Sequence, residues 1–569
     1  MRPALAFAGL MMIAACGAPP PETQAEMPTA ARGCAPTLVH DAQWYTSGKV
    51  QPLLPGLDGL SYAISTSAYL PQARRDSVQR YFDQGLVLAY GFNHAEAARS
   101  FWQANRLDSA CAMAWWGFAY VLGPNYNAGM DTDNYQRAYA AITKAQSLKG
   151  RCTATEQGLV EAMALRYTAT PVEDRAPLDQ AYSNAMRALV AAHPADADIA
   201  ALFAESLMDQ HPWDLWAKDG SAQPWTPEIL SALERSMKVF PKHFGAHHLY
   251  IHAVEASRTP ERGLPSAAFL TDAVPGSGHL VHMPSHIYIR TGRYHEGVRA
   301  NQRSVSVDSG YTARCHAAGI YPIAYFPHNI HFLSACATFA GEKQTAWASA
   351  KNLSAHLARD LMHLPDFATL QHYEAFPWMV AVKLQLWDKL AAEATPDSTL
   401  PYATALWHFA QGVRHARTGQ VEPAAAELEH LRAGMRDTLV QTMTIWGINS
   451  APHVLRIAEH VLQGEIAAAG NRPDDAVRHF TAAVAAEDSL QYQEPPDWSF
   501  PARHELGRAL LKAGRFSDAE QCFAQDLVNW PENGFALEGL REALYARNKP
   551  EAAVALDERI VAAWKYADR

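Results

Sequence analysis

The stretch Gly507-Arg508-Ala509-Leu510-Leu511-Lys512-Ala513-Gly514-Arg515-Phe516-Ser517-Asp518-Ala519-Glu520-Gln521-Cys522-Phe523, with Pro531 beyond it, carries the pattern that decides the fold. Apolar residues three and four apart mark two helices, and Gly514 breaks them into a hairpin. Gly507 and Ala519 are thin positions where helices approach closely, and Phe523 is a ring that fills the space to the next hairpin. The same spacing returns in Gly85 with Ala97, Phe101 and Ala104, in Ser285 with Gly292, Tyr294 and Gly297, and in Gly412 with Gly419 and Ala424. Turn glycines at Gly292, Gly341, Gly419 and Gly514 are unevenly spaced, so the hairpins form an irregular series.

This template resembles the tetratricopeptide repeat. The resemblance implies an all-α, right-handed α-solenoid whose concave wall is made by the first helix of each hairpin. The expected organisation is a signal peptide over 1–15, a lipid-anchored linker over 16–33, an irregular arm over 34–75 and the solenoid over 76–569. The stretches 124–127 and 211–216, rich in Pro and Trp, read as loops packed against the array. No turn glycine defines the repeats between 124 and 190 or between 355 and 400.

Hydrophobic residues make up 49% of the 569 positions and charged residues 19%, which excludes a largely disordered chain. With 48 Lys and Arg against 58 Asp and Glu there is no basic footprint, so nucleic acid is not an expected partner. The chain opens with Met1-Arg2-Pro3 and a short apolar run to Ala15, as an export signal does. Ile13-Ala14-Ala15-Cys16 resembles the bacterial lipobox, with Cys16 the lipidated residue. By the same resemblance Gly17 points to the outer membrane, facing the periplasm, with lipid as the only membrane contact. An exported compartment permits disulfides, for which Cys111 with Cys152 and Cys315 with Cys336 are the plausible pairs. No GxGxxG, GxxxxGK or GxSxG motif is present, so neither a nucleotide cofactor nor a serine nucleophile is expected.

Of 25 histidines, eleven lie between His243 and His331. On the tetratricopeptide template, Ser285 sets His279, His282 and His286 on the concave wall, and Ser334 sets His328 and His331 there. Alignment from Pro241 adds His248, His252 and Glu255, with Ile251 as a departure at the small position. Independently of the family, imidazoles three or four apart share one helix face and can chelate one ion. Neutral imidazole suits copper, zinc or iron, and a carboxylate such as Glu255 or Glu205 could complete a site or act as a base. Tyr250, Asn329, His372, Glu374 and, were the superhelix to close, His504 are further groove candidates. His248-Leu249-Tyr250-Ile251-His252 lacks the glutamate of the HExxH metalloprotease helix.

Three segments, Tyr90-Gly91-Phe92-Asn93-His94-Ala95-Glu96-Ala97, Gly278-His279-Leu280-Val281-His282-Met283-Pro284-Ser285-His286 and Tyr325-Phe326-Pro327-His328-Asn329-Ile330-His331, resemble a group of bacterial tetratricopeptide lipoproteins. That resemblance brings no activity with it. The expectation is a groove that binds one or two transition metals and a small-molecule or peptide ligand, with metal-dependent catalysis open to it; the alternative is a cell-envelope interaction scaffold that holds a peptide or protein partner in the groove without metal.

Overall fold

The computed structural model describes residues 52–57, 62–315, 317 and 319–568. Cys16, Cys34, the signal segment and the linker lie outside them. Helix hairpins follow one another to the C-terminus, and the described residues hold one two-stranded sheet, Thr444–Ile445 paired antiparallel with Asn449–Ser450. No helix among the described residues is long and apolar enough to cross a membrane.

The predicted turn glycines all take a left-handed backbone, with φ of 75° at Gly292, 73° at Gly341, 81° at Gly419 and 72° at Gly514. Other hairpins turn on Gln385, Asn471 and Asn548, at φ of 57°, 54° and 55°, which is why glycine alone did not locate them. Helices Asn134–Leu148, Ala154–Ala164 and Ala176–Ala192 fill the first stretch without turn glycines, and Leu370–Lys383 with Trp387–Ala392 the second. Side chains close several starts: Asn93 accepts from the Glu96 N–H, and Thr153 forms a reciprocal capping box with Glu156.

The small-to-aromatic spacing is a packing rule. A Cβ placed on Gly507 would stand 2.3 Å from the Phe523 ring, and one on Gly85 would stand 2.8 Å from Phe101. Gly464 and Phe480 repeat the contact at the same sixteen-residue interval.

Eight helices position the site: α1 (Gln72–Tyr90), α2 (Ala197–Met208), α3 (Phe244–Glu255), α4 (Gly278–His282), α5 (Pro284–Arg290), α6 (Tyr294–Cys315), α7 (Phe326–Ala340) and α8 (Leu370–Lys383). Along one wall, α2 packs on α3, α3 on α5, α4 on α7 and α7 on α8. The chain curls, so that α1 also packs on α3. Two large apolar cores result, one built on Phe82, Phe101 and Ile251, the other on Phe332, Tyr373 and Tyr402, with a smaller one on Leu537, Leu544 and Ile560 near the C-terminus. The two large cores divide within α5, where Ile287 joins the first and Ile289 the second, so the histidine helices stand on the seam.

Among the described residues the first helix begins at Gln72. Before it, the described part of the arm lies extended along the array, with the Leu54 N–H donating to Gln84 and the Ser67 N–H to Asp108. The expected disulfides are absent: Cys111, Cys152, Cys315, Cys336 and Cys522 are all free thiols. Cys336 is instead packed against Gly297 of the preceding hairpin.

Because the Phe523 ring fills the space over both Gly507 and Gly539, Phe523→Ala should cost roughly 3–5 kcal/mol in the unfolding of the C-terminal hairpins. Urea unfolding followed by circular dichroism measures this, and an unchanged transition would contradict the packing rule.

Candidate metal centre

His243 caps α3, its Nδ1 accepting from the Ala246 N–H at 3.0 Å. His248, His252 and Glu255 then fall on one face. Helices α4 and α5 form a single run bent at Pro284, whose missing N–H interrupts the bonding ladder. The His286 N–H bonds to Met283 O at 3.2 Å, and Ser285 Oγ donates to His282 O at 2.7 Å. Helix α7 is entered through a π-helical turn at Tyr321–Tyr325, a feature that concentrates at functional sites. There the Tyr321 hydroxyl donates to Asp308 at 2.8 Å and accepts from the His279 N–H at 3.2 Å.

These helices bring six imidazoles into two adjoining groups, His248 with His252 and His279, and His282 with His286 and His328. Within each group the candidate donor atoms lie within 4.8 Å of one another. The groups touch, with the His252 and His286 rings 5.3 Å apart and His279 and His282 5.7 Å apart.

Hydrogen bonds fix the tautomers. Asn301 Nδ2 donates to Gly297 O at 2.8 Å, so its Oδ1 must accept from His282 Nδ1 at 2.6 Å. Glu255 accepts from two rings, His252 Nδ1 at 2.7 Å and His286 Nδ1 at 2.5 Å. His248 Nδ1 donates at 2.6 Å to Tyr90 O, a carbonyl left without an intrahelical partner at the end of α1. Nε2 of His248, His252, His282 and His286 is thereby left without a proton, and that of His248 can accept from His279. His282 Nε2 faces His286 Nε2 at 2.9 Å, and His248 Nε2 faces His279 Nε2 at 3.2 Å. His252 Nε2 is buried with no partner.

Burial first, and then the neighbouring imidazoles, hold His248, His279, His282 and His328 well below the ordinary histidine range, in the neutral form that ligates a metal. Burial alone would raise Glu255, but His286 and the hydrogen bonds from His252 and His286 hold its carboxyl at about 2, so it remains an accepting anion. Nitrogens about 2.0–2.1 Å from one ion, subtending roughly 90–110° at it, stand about 2.9–3.4 Å apart. The 2.9 Å and 3.2 Å separations lie in that range.

A cavity of about 440 Å3 opens beside the rings of His252, His279, His286 and His328. The two loops expected at 124–127 and 211–216 line it through Tyr126 and Trp213. So does the segment before Trp498, where Tyr492 donates to Glu494 Oε1 at 2.5 Å and stands 3.4 Å from Glu255. Burial, partly offset by Arg290, raises the Glu494 carboxyl to about 7.

Not every expected residue belongs here. His331 lies apart from the group, packed against Phe376 and Tyr373 with ring centroids 4.2 and 5.0 Å distant, so sharing a helix face with His328 does not bring it to the same point. Glu255 accepts from the imidazoles and, with His252 and His286, also forms a third group of candidate donor atoms within 4.8 Å of one another. The Tyr250 hydroxyl points to Glu234, Glu205 is bonded to Tyr120, and Glu374 pairs with Arg359. His372 is bonded to the Tyr402 hydroxyl. His504 is bonded to Lys383 and Asp526 in a separate cluster. Asn329 donates to Asp308 at 2.7 Å and so supports Tyr321 rather than a ligand.

Sequence reasoning missed Asn301 and Phe92 as site residues, and it gave the loop Tyr492-Gln493-Glu494-Pro495-Pro496-Asp497-Trp498 a structural role with groove lining as the alternative. Asn301 had a signal: it stands sixteen residues after Ser285, where other hairpins place Phe101, Phe480 and Phe523. Phe92, at φ 55°, packs its ring 4.6 Å from His248, 5.8 Å from His252 and 5.5 Å from His279.

No family model and no curated protein matches the chain. Among solved structures, the human IFIT1 dimer with m7Gppp-AAAA is similar at 12% identity and a TM-score of 0.32, covering 89% of this chain and 98% of that one. The APC/C hetero-tetramer Cut9-Hcn1 is similar at 13% identity and a TM-score of 0.29, over 86% of this chain and 76% of that one. These values carry no function across.

Glutamine in place of Glu255 would supply one accepting oxygen for two buried N–H groups. Glu255→Gln should therefore lower the stability of the metal-free protein by about 1–3 kcal/mol; an unchanged melting temperature would contradict the shared-acceptor geometry.

Proposed function

We propose that this is an exported, lipid-anchored helical-repeat protein that binds two transition-metal ions and acts as a metal-dependent enzyme on a small molecule held in the adjoining cavity. One ion takes His248, His252 and His279; the other takes His282, His286 and His328. The reading rests above all on the contact between His282 Nε2 and His286 Nε2, 2.9 Å apart with both Nδ1 protons committed elsewhere. Two lone pairs repel at that distance unless a metal ion or a proton stands between them, and burial disfavours the proton on His282.

All-imidazole donor sets favour copper, zinc or iron over magnesium or calcium. Three protein ligands per ion leave a position open to water or substrate, as catalytic sites require. Glu255, Asn301 and the Tyr90 carbonyl aim the ligating nitrogens from behind, an arrangement whose loss typically weakens metal binding 10–100-fold. The scaffold alternative calls for rings splayed along an open wall, whereas here the donor atoms converge. The lipobox-like Ile13-Ala14-Ala15-Cys16 supports the envelope location.

Elemental analysis by mass spectrometry on the full chain, purified from a periplasm without a histidine tag, tests the reading. Two equivalents of metal are expected. One should be lost in His282→Ala/His286→Ala and the other in His248→Ala/His279→Ala, with the helical circular dichroism retained. Metal content unaffected by either pair would overturn the assignment.

A further inference from the structure

The cavity wall is aromatic, and part of it is held in a costly backbone. Tyr126, Trp213, Tyr325, Tyr373 and Trp446 all line it. Tyr126 and Trp213 stack at 5.4 Å and 29°, and Trp446 lies 5.4 Å from Tyr373. Among the described residues, seven other than glycine have positive φ. Gln385, Asn471 and Asn548 make hairpin turns, and Glu532 lies between helices in the C-terminal hairpins. Phe92, Trp213 and Trp446, at 55°, 59° and 48°, all meet at the site. Bulky residues in that region persist where the surrounding structure holds them, and such strain gathers at ligand sites. Trp446 is presented by the turn between the two short strands, where its N–H donates to Thr369 Oγ1 at 3.0 Å.

The polar lining is one-sided. Among the described residues none of those lining the cavity is lysine or arginine, while Asp209 and Glu494 are both there. Asp209 is paired with Arg166 at 2.6 Å, so a carboxylate or phosphate ester would meet the Glu494 carboxyl and no lysine or arginine on the cavity wall. Glu494, 2% exposed, leaves Oε2 without a partner. A ligand that brings an O–H donor satisfies it; one that brings only acceptors or hydrocarbon leaves it orphaned. The volume of about 440 Å3 suits a molecule of one or two rings.

We propose that this cavity takes a small uncharged hydroxyaromatic molecule, its ring held among Tyr126, Trp213, Tyr373 and Trp446 and its hydroxyl turned toward Glu494 and the imidazoles. This deepens the reading above, naming the substrate class of the same site, yet it can be tested with and without metal.

The test is calorimetric titration of the full chain, metal-free and metal-loaded, with 4-phenylphenol, its methyl ether and biphenyl-4-carboxylate. The phenol should bind both forms, with the ether and the carboxylate at least about tenfold weaker. Trp446→Ala should weaken all three, and Glu494→Leu should abolish the preference for hydroxyl over ether, with circular dichroism confirming that each variant is folded. Should either variant fail to fold, the ligand ranking on the parent protein decides. A carboxylate that binds as well as the phenol, or no binding to either form, would overturn the inference. Phenol binding to a protein that proves to take no metal would leave this inference standing and remove the metal reading; two bound metals without phenol binding would do the reverse.

Discussion

One carboxylate organises the centre. Glu255 is buried between two helices and accepts an N–H from a ring of each candidate site, His252 and His286, so it fixes two tautomers at once. That commitment leaves Nε2 of both rings bare, and Asn301 does the same for His282. Buried acceptors without donors are costly. The fold nevertheless holds several of them together, and its surroundings are arranged to keep them there: the Tyr90 carbonyl behind His248, Ser285 on the interrupted turn, and Tyr321 on the His279 backbone.

The architecture makes such a cluster possible because successive first helices stand side by side. The inner faces of successive hairpins form a row across the wall, and His252, His286 and His328 stand next to one another along it. The seam between two apolar cores supplies room for polar side chains without opening either core. Curling of the chain then brings α1 from one end and the Tyr492 segment from the other onto the same point, so residues about 400 apart in sequence face one site.

The hairpins were legible because small residues and aromatics at a sixteen-residue interval obey a packing rule that sequence displays. Four of the turns were legible because glycine supplied the left-handed residue; those built on Gln385, Asn471 and Asn548 were not. The histidines of α3 and α4–α5 were legible from helical periodicity, whereas His331 shows its limit: it shares a helix with His328 but points into the next core. Glu255 was found as a candidate ligand; the structure shows it bonded to both His252 and His286 and grouped with them, a double engagement that spacing along one helix does not reveal. Phe92 and Glu494 depend on how distant segments return, which no local pattern records. Asn301 was readable as a departure from the template, a polar residue where packing asks for a ring.

The most direct measurement is anomalous diffraction from crystals of the metal-loaded chain, collected on both sides of the absorption edge. Two peaks are expected, each about 2.0–2.1 Å from three imidazole nitrogens, one at His248, His252 and His279 and the other at His282, His286 and His328. A single surface peak, or a centre ligated by Glu255 with the Nε2 pairs left empty, would contradict the account.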